Sequence, residues 1–387
     1  MSRLPTSLPD PEPFAAAHGA RVAACIHGAI DAAGGWIGFD RFMELALYAP
    51  GLGYYVAGAA KFGPAGDFVT APEISPLFGR AIANQVAELV DRLARDGGAA
   101  AVRILEFGAG TGALAGPLID EMQRLGVAFG GYLIVETSPD LRQRQQERLG
   151  TRPVRWLDAP PEGFCGVIIA NEVLDVMPVR LFVRRSDGVR ERGVALRDGR
   201  LAFEERPAPP DLARAVADIE RECGPWAAGY GSEVGFLARA WMRSLAGWLQ
   251  RGAALLVDYG FPARELYHPQ RLMGTLMCHF RHRAHADPLW WPGLNDITAH
   301  VDFSAMAAAA DEAGLDVLGY TSQAHFLLNC GILDLMRDDA PAATRSGVHR
   351  VVSEAEMGEL LKVLAVGRGI GGDALRGFAR GDRTHRL

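Results

Sequence analysis

Ile104-Leu-Glu-Phe-Gly-Ala-Gly-Thr-Gly112 restricts the fold more than any other stretch of this chain. A short apolar run passes through three alternating glycines into a helical pattern. Glycines at such a turn allow backbone conformations closed to other residues and let a ligand approach the main chain closely. The surrounding rhythm fits. Apolar runs at Val102–Phe107, Tyr132–Glu136, Val154–Leu157, Val167–Ala170 and Ala253–Asp258 read as strands, and Leu114–Leu125 and Asp140–Leu149 between them read as helices. Strands alternating with helices imply βαβ units and a mostly parallel sheet. The expected fold class is therefore α/β, with a Rossmann-like, mostly parallel sheet.

The glycines alone leave the ligand open, because Gly108-x-Gly110-x-x-Ala113 also satisfies the dinucleotide fingerprint. Glu106, two residues before the first glycine, argues against a pyrophosphate, which wants helix N–H groups and no neighbouring carboxylate. It suits a cation instead, and S-adenosylmethionine carries a sulfonium and an α-ammonium in place of phosphate. Gly108, Gly110 and Gly112 would then cradle that cofactor. Glu136, ending the next strand, is expected to accept both ribose hydroxyls. Asp158 is expected to accept from the adenine amino group, with Leu157 against the ring. The competing reading of the glycines is a tight βα turn with no ligand.

Ligands of open α/β sheets bind beyond the carboxyl ends of the strands. Asn171-Glu-Val-Leu-Asp175 leaves the fourth strand there, so Asn171 is a cofactor-binding candidate, and Glu172 and Asp175 are candidates for the methyl acceptor's side. The same residues could instead cap a helix, Asn171 at the N-cap with the two acids on the dipole.

Elsewhere the pattern is helical from Phe14 to about Leu47, broken at Gly34-Gly35, and again from Pro76 to Arg95. A Gly/Pro-punctuated loop lies between. Val179–Arg206 reads as a polar β-meander with turns at Asp187-Gly188 and Asp198-Gly199. Helices are expected at Leu212–Cys223, Val234–Leu249, Phe303–Ala313 and Glu354–Leu364, and strands at Asp316–Tyr320 and Leu375–Ala379. The expected division is an N-terminal helical cap with its loop over 1–98 and a catalytic domain over 99–387, with an insertion at 179–250.

Composition removes other classes. The chain has 387 residues and a formal net charge of −6, which disfavours nucleic-acid binding by a basic face. Five scattered cysteines without a CxxC pair read as reduced and intracellular. No apolar run approaches the roughly 20 residues of a membrane helix, and no signal peptide is read at the N-terminus. The three histidines of Cys278-His279-Phe-Arg-His282-Arg-Ala-His285 lack zinc spacing, so no metal is expected there and a loop closing over substrate is. His300 is a candidate for positioning the acceptor or handling a proton; the alternative is a histidine bonded to Asp296 or Asp302.

Four stretches resemble the MidA-like methyltransferases, a family that includes a mitochondrial complex I assembly factor. They are Tyr54-Tyr55 with Gly66-Asp-Phe-Val-Thr-Ala-Pro-Glu-Ile-Ser75, Glu106-Phe-Gly-Ala-Gly-Thr-Gly112, Asn171-Glu-Val-Leu-Asp175, and Asp296-Ile-Thr-Ala-His-Val-Asp-Phe303. The resemblance implies a class I S-adenosylmethionine fold with a seven-stranded sheet and an N-terminal helical cap. It also implies protein arginine methylation, with a core complex I subunit or its homologue as the partner. Asp67 and Glu73, in the first stretch, become substrate-binding candidates. No mitochondrial presequence is read, and a bacterial cytoplasm is expected. Two other functions stay open: an assembly factor that keeps the cofactor-binding fold but only docks a partner, and a dinucleotide oxidoreductase, which Glu106 disfavours.

Overall fold

The computed structural model describes residues 8–57, 69–337 and 339–387. They fall into two compact units. A sheet unit takes Val69–Leu174, Arg239–Gly260 and Phe303–Leu387; the other takes the chain up to Phe68, Asp175–Ala238 and Phe261–Asp302.

Among the described residues, seven strands form the continuous path of the sheet in this unit: β1 (Arg103–Phe107), β2 (Tyr132–Val135), β3 (Val154–Leu157), β4 (Phe164–Asn171), β5 (Leu249–Phe261), β6 (Asp316–Ser322) and β7 (Leu361–Arg368). Their order is β3-β2-β1-β4-β5-β7-β6. The β1–β2, β1–β4, β2–β3 and β4–β5 pairs are parallel; β7 runs antiparallel to both β5 and β6. The order reverses between β1 and β4, so their carboxyl ends open the crevice in which doubly wound sheets bind ligands. In the dinucleotide fold the sixth strand lies beside the fifth; here an antiparallel β7 separates them.

The helix Pro76–Gly97 starts with Ser75 Oγ accepting the Leu77 N–H at 3.3 Å and Pro76 in its first turn, and it stops at Gly98 with φ +76°. Its apolar stripe, Phe78, Ile82, Val86, Leu89, Val90 and Leu93, is buried in one core with Ile104, Leu118, Met122, Val167 and Ile169. That packing joins the helix to the sheet, although the expected boundary at residue 98 placed it with the cap.

The other unit begins with helices Pro13–Ala32 and Phe39–Tyr48, separated by a short strand, Trp36–Gly38, where only a helix break was expected. That strand pairs antiparallel with the meander, whose strands are Arg180–Arg185, Gly188–Arg197 and Arg200–Pro207. A three-stranded sheet of Met277–Phe280, Arg283–His285 and Asp296–Thr298 belongs here too. Cys278 and Ile297 share an apolar core with Phe39, Phe42, Leu181 and Val194. The unit therefore draws in residues after 250 that the expected insertion at 179–250 left out.

Two C-terminal readings are corrected. The expected helix Glu354–Leu364 is one short turn, Met357–Leu360, running straight into β7. Every β7 residue except Arg368 is buried, so its continuous apolar run resembles a helix segment as much as an interior strand. The expected strand Leu375–Ala379 is a 3₁₀ turn, Arg376–Phe378. Helices Gln323–Asn329 and Ala342–Val352 were not anticipated.

Candidate functional site

β1 and β2 deliver two carboxylates to the same end of the sheet. Glu106 is 2% exposed, and its Oε2 accepts the Tyr132 hydroxyl at 2.6 Å. Burial raises its pKa to about 7 against that hydrogen bond, and the Glu136 carboxylate adds to the rise. Glu136 is also buried. Its Oε1 accepts the Ser138 N–H and its Oε2 accepts from Gln145 Nε2, both at 2.9 Å. Burial raises its pKa too; the amides of Ser138, Gln145 and Thr137 and the charge of Arg142 offset part of the effect.

The glycine loop lies between β1 and the helix Ala115–Arg124. Gly108, Gly110 and Gly112 have φ of +59°, +54° and +82°, the left-handed region that a Cβ disfavours. A Cβ on Gly108 would also lie 3.1 Å from Val173 Cγ2, which puts the first glycine against the segment leaving β4. Glu73 reaches the loop as well: it accepts from the Thr111 hydroxyl and, at 2.8 Å, from Arg148 Nη1.

At the end of β3, Leu157 is half-buried. Asp158 is exposed and accepts from Arg142 Nη2 at 2.7 Å, so its carboxylate already has a cationic partner.

Beyond β4 the chain forms a turn, which corrects the helix-cap alternative for Asn171, Glu172 and Asp175. Glu172 has φ +54°, and its N–H donates to Val257 O at 2.8 Å. The Asp258 carboxylate then takes the next two amides, Val173 at 3.0 Å and Leu174 at 2.7 Å, a task a helix N-cap would otherwise perform. Asn171 Nδ2 donates to Glu172 Oε1 at 3.1 Å, while the buried Asn171 Oδ1 has no hydrogen-bond partner among the described residues.

Asp175 and His300 belong to the other unit, where the structure brings their segments together. Asp175 is 4% exposed, and its backbone oxygen accepts the Ala299 N–H at 2.9 Å. The His300 N–H donates to Thr275 Oγ1 at 2.8 Å, and its ring centroid lies 5.3 Å from that of Phe261. In the same unit Tyr55 donates its hydroxyl to Asp296 Oδ1 at 2.7 Å and stacks on Tyr48. Asp67 lies outside the described residues.

His279 and His285 flank the tight turn of a hairpin whose Arg281 and His282 have positive φ. His285 is buried, with Nε2 3.1 Å from Asn295 Oδ1, and burial lowers its pKa. Among the described residues no group of three or more His, Cys, Asp or Glu is placed to hold a metal ion. Likewise, no helix among them is long and apolar enough to cross a membrane.

Sequence reasoning passed over three residues: Tyr132, Gln145 and Asp258. Asp258 carried a signal, an acid closing an apolar run of the sequence, as Glu136 does. Gln145 carried another, a polar residue between Leu141 and Leu149 on the buried stripe of the helix Pro139–Leu149.

A ligand bearing an ammonium and a sulfonium fits these residues. Glu106 is a buried carboxylate held by a neutral hydroxyl, Asn171 offers an unused acceptor oxygen, and three left-handed glycines expose main chain. The comparisons agree. Residues 81–321 match the family described as "Putative S-adenosyl-L-methionine-dependent methyltransferase". A crystal structure of a Burkholderia thailandensis protein bound to S-adenosyl-homocysteine is 50% identical in sequence, with a TM-score of 0.92 over 98% of this chain and 100% of that one. The mitochondrial protein arginine methyltransferase NDUFAF7 of Danio rerio is 29% identical over 370 residues, covering 86% of this chain and 83% of its own length. The Homo sapiens protein of the same name is 28% identical, covering 76% and 69%. The α/β sheet, its crevice residues and these matches converge, and the chain belongs to this family of S-adenosylmethionine-dependent methyltransferases.

Proposed function

We propose that this methyltransferase modifies an arginine side chain of a protein, and that the protein is a respiratory complex I subunit or its homologue. The observation that carries the reading is Glu172, held in a left-handed turn at the carboxyl end of β4 with Asn171 donating to its carboxylate. The relatives named protein arginine methyltransferases support the acceptor class.

In this reading Glu106 faces the cofactor's cationic end, the glycine loop offers its backbone, Glu136 accepts the ribose hydroxyls, Leu157 packs on adenine, and Asn171 Oδ1 takes a remaining donor. Asp158 would accept from the adenine amino group while keeping Arg142. S-Adenosylmethionine, when bound, supplies an electrophilic methyl group. The chain's own residues do the rest, chiefly by holding the acceptor in line. A guanidinium is protonated and a poor nucleophile. Glu172 holds its N–H groups, draws charge away from the attacking nitrogen and accepts a proton as that nitrogen is alkylated. Asp175 and His300, whose segments meet in the other unit, are kept as candidates for acceptor positioning and proton handling. Glu73, engaged by Arg148, steadies the glycine loop, and Asp67 keeps its proposed place beside the substrate. The five free cysteines fit a cytoplasmic enzyme.

The test incubates purified enzyme with a lysate and isotope-labelled cofactor, then maps the label by mass spectrometry. Label on arginine of a complex I subunit supports the reading. Label on another residue type overturns the arginine assignment, and cofactor binding without any transfer favours the docking alternative.

A further inference from the structure

Gln145 is completely buried in the middle of the helix Pro139–Leu149, and it uses both ends of its amide. Nε2 donates to Gly110 O and to Glu136 Oε2, both at 2.9 Å; Oε1 accepts the Trp156 indole N–H at 2.8 Å. One side chain thus ties the glycine loop after β1, the carboxylate after β2 and strand β3, which carries Leu157. Stability alone would favour a leucine on this stripe, since Leu141 and Leu149 sit one turn to either side and a buried amide gains little unless every bond is made.

We propose that Gln145 is a positioning residue for the nucleoside half of the cofactor: it holds the Gly110 carbonyl and the Glu136 carboxylate in register, so that the ribose meets a pre-aimed acceptor. The proposal rests on the reading of Glu136 as the ribose acceptor. The chemistry explains the residue type. The position needs a donor toward two oxygens and an acceptor toward an indole at once. Leucine supplies neither; glutamate, once ionised, turns an acceptor toward Glu136.

Adenosine is the probe, since it lacks the amino-acid end that Glu106 would meet. Its affinity is measured by calorimetry for wild type, Gln145→Glu, Gln145→Met and Glu136→Gln between pH 6 and 8.5, with a melting curve for each. The charged groups acting on or through Glu136 are Glu106 on β1, itself held by the Tyr132 hydroxyl, and Arg142 on the same helix, which also pairs with Asp158. All are common to the Gln145 variants and the wild type, so ratios to wild type isolate the substitution. Two carboxyl groups this close share a proton, and the first to ionise does so far more readily than the second. In Gln145→Glu the protonated acid can still donate to Glu136 at low pH. Its affinity should therefore lie within a few-fold of wild type at pH 6 and fall at least tenfold below it at pH 8.5. Gln145→Met should lose affinity at every pH, pH 6 included, and the Trp156 indole N–H resonance should shift in both variants. A merely structural role would lower the melting temperature without a pH-dependent affinity ratio.

Wild-type affinity in Gln145→Glu at every pH overturns the proposal, whatever Gln145→Met does. If Glu136→Gln binds adenosine like wild type, the ribose reading falls and this proposal with it. If Glu136→Gln weakens and Gln145→Glu does not, only the assignment of Gln145 fails.

Discussion

Glu106 and Glu121 are equally buried in the sheet unit, 2% exposed each, yet they are held in opposite ways. Glu106, on β1, takes a neutral hydroxyl from Tyr132. Glu121, on the helix Ala115–Arg124, takes Arg80 Nε at 2.7 Å and Arg124 Nε at 2.9 Å. Burial alone would raise both pKa values. It lifts Glu106 to about 7, whereas the hydrogen bonds from Arg124 and Arg80 reverse it at Glu121 and leave that group below its ordinary value. The contrast extends outward. On the helices Glu88 pairs with Arg92, and Asp120 with Arg152. At the carboxyl end of the sheet Glu136, Glu172 and Asp258 take N–H groups of backbone or side-chain amides. A carboxylate neutralised by arginine has little field left for a ligand; one held by neutral donors keeps it. Glu73 and Asp158 depart from this at that end, since Arg148 and Arg142 engage them, and Glu73 therefore steadies the loop in our reading.

The largest expected effect separates chemistry from binding. Glu172→Gln keeps the shape and the bond to Asn171 but removes the charge. Single-turnover methyl transfer should fall roughly 10²-fold or more, with S-adenosyl-homocysteine affinity nearly constant. A melting curve run alongside separates a loss of stability from a loss of transfer. Transfer at the wild-type rate would remove Glu172 from the acceptor's side.

Next comes the pair itself. Glu106→Gln retains an acceptor for the Tyr132 hydroxyl and removes a buried charge without a counterion. S-Adenosyl-homocysteine affinity should drop about 10–100-fold, the value of a hydrogen bond to a charged group, with melting unchanged or slightly higher. Glu121→Gln should do the reverse, lowering the melting temperature by a few degrees because two arginines lose their partner, and leaving affinity untouched. Calorimetry and melting curves on both variants decide; if both lose affinity alike, or both lose only stability, the distinction between the two carboxylates collapses.

That distinction was half legible beforehand. Ile104–Gly112 announced a strand, a left-handed loop and an acid near the strand's end, because glycine spacing and apolar runs are local signals. Glu106, Glu136 and Asn171-Glu172 could be placed at strand ends for the same reason. Which acids carry arginines is set by packing between segments far apart in sequence, as with Arg80 and Glu121 or Arg148 and Glu73. No periodicity encodes that. The same limit hid β7: a strand buried on both faces loses its alternation, and only its register against β5 and β6 reveals it. Asp258 could have been found by the rule that picked Glu136, an acid closing an apolar run. It was missed because its work, capping the amides of Val173 and Leu174, lies on another strand's exit.

The smallest expected effect is on pH, and its sign follows from the two directions. Glu106 holds its proton in the folded protein up to about pH 7, against an ordinary value of 4.5, so the native state binds more protons than the unfolded one between those values and loses stability as pH rises through that window. Glu121 is displaced the other way. Its contribution is complete above the unfolded value and is lost only as pH falls below 4.5 through its lowered native one. A cationic ligand meets the ionised form of Glu106 and must displace the proton when one is present. S-Adenosyl-homocysteine affinity should therefore rise by up to roughly tenfold between pH 6 and 8, where the ligand's own ammonium stays charged, with proton release near pH 6 that fades by pH 8. Calorimetry in two buffers of different ionisation enthalpy reads both quantities. Glu106→Gln should flatten the profile, and Glu121→Gln should leave it as in the wild type. A flat profile in the wild type would mean that the ligand's cationic end does not meet Glu106, and would sever the link between a raised carboxylate and cofactor recognition in this fold.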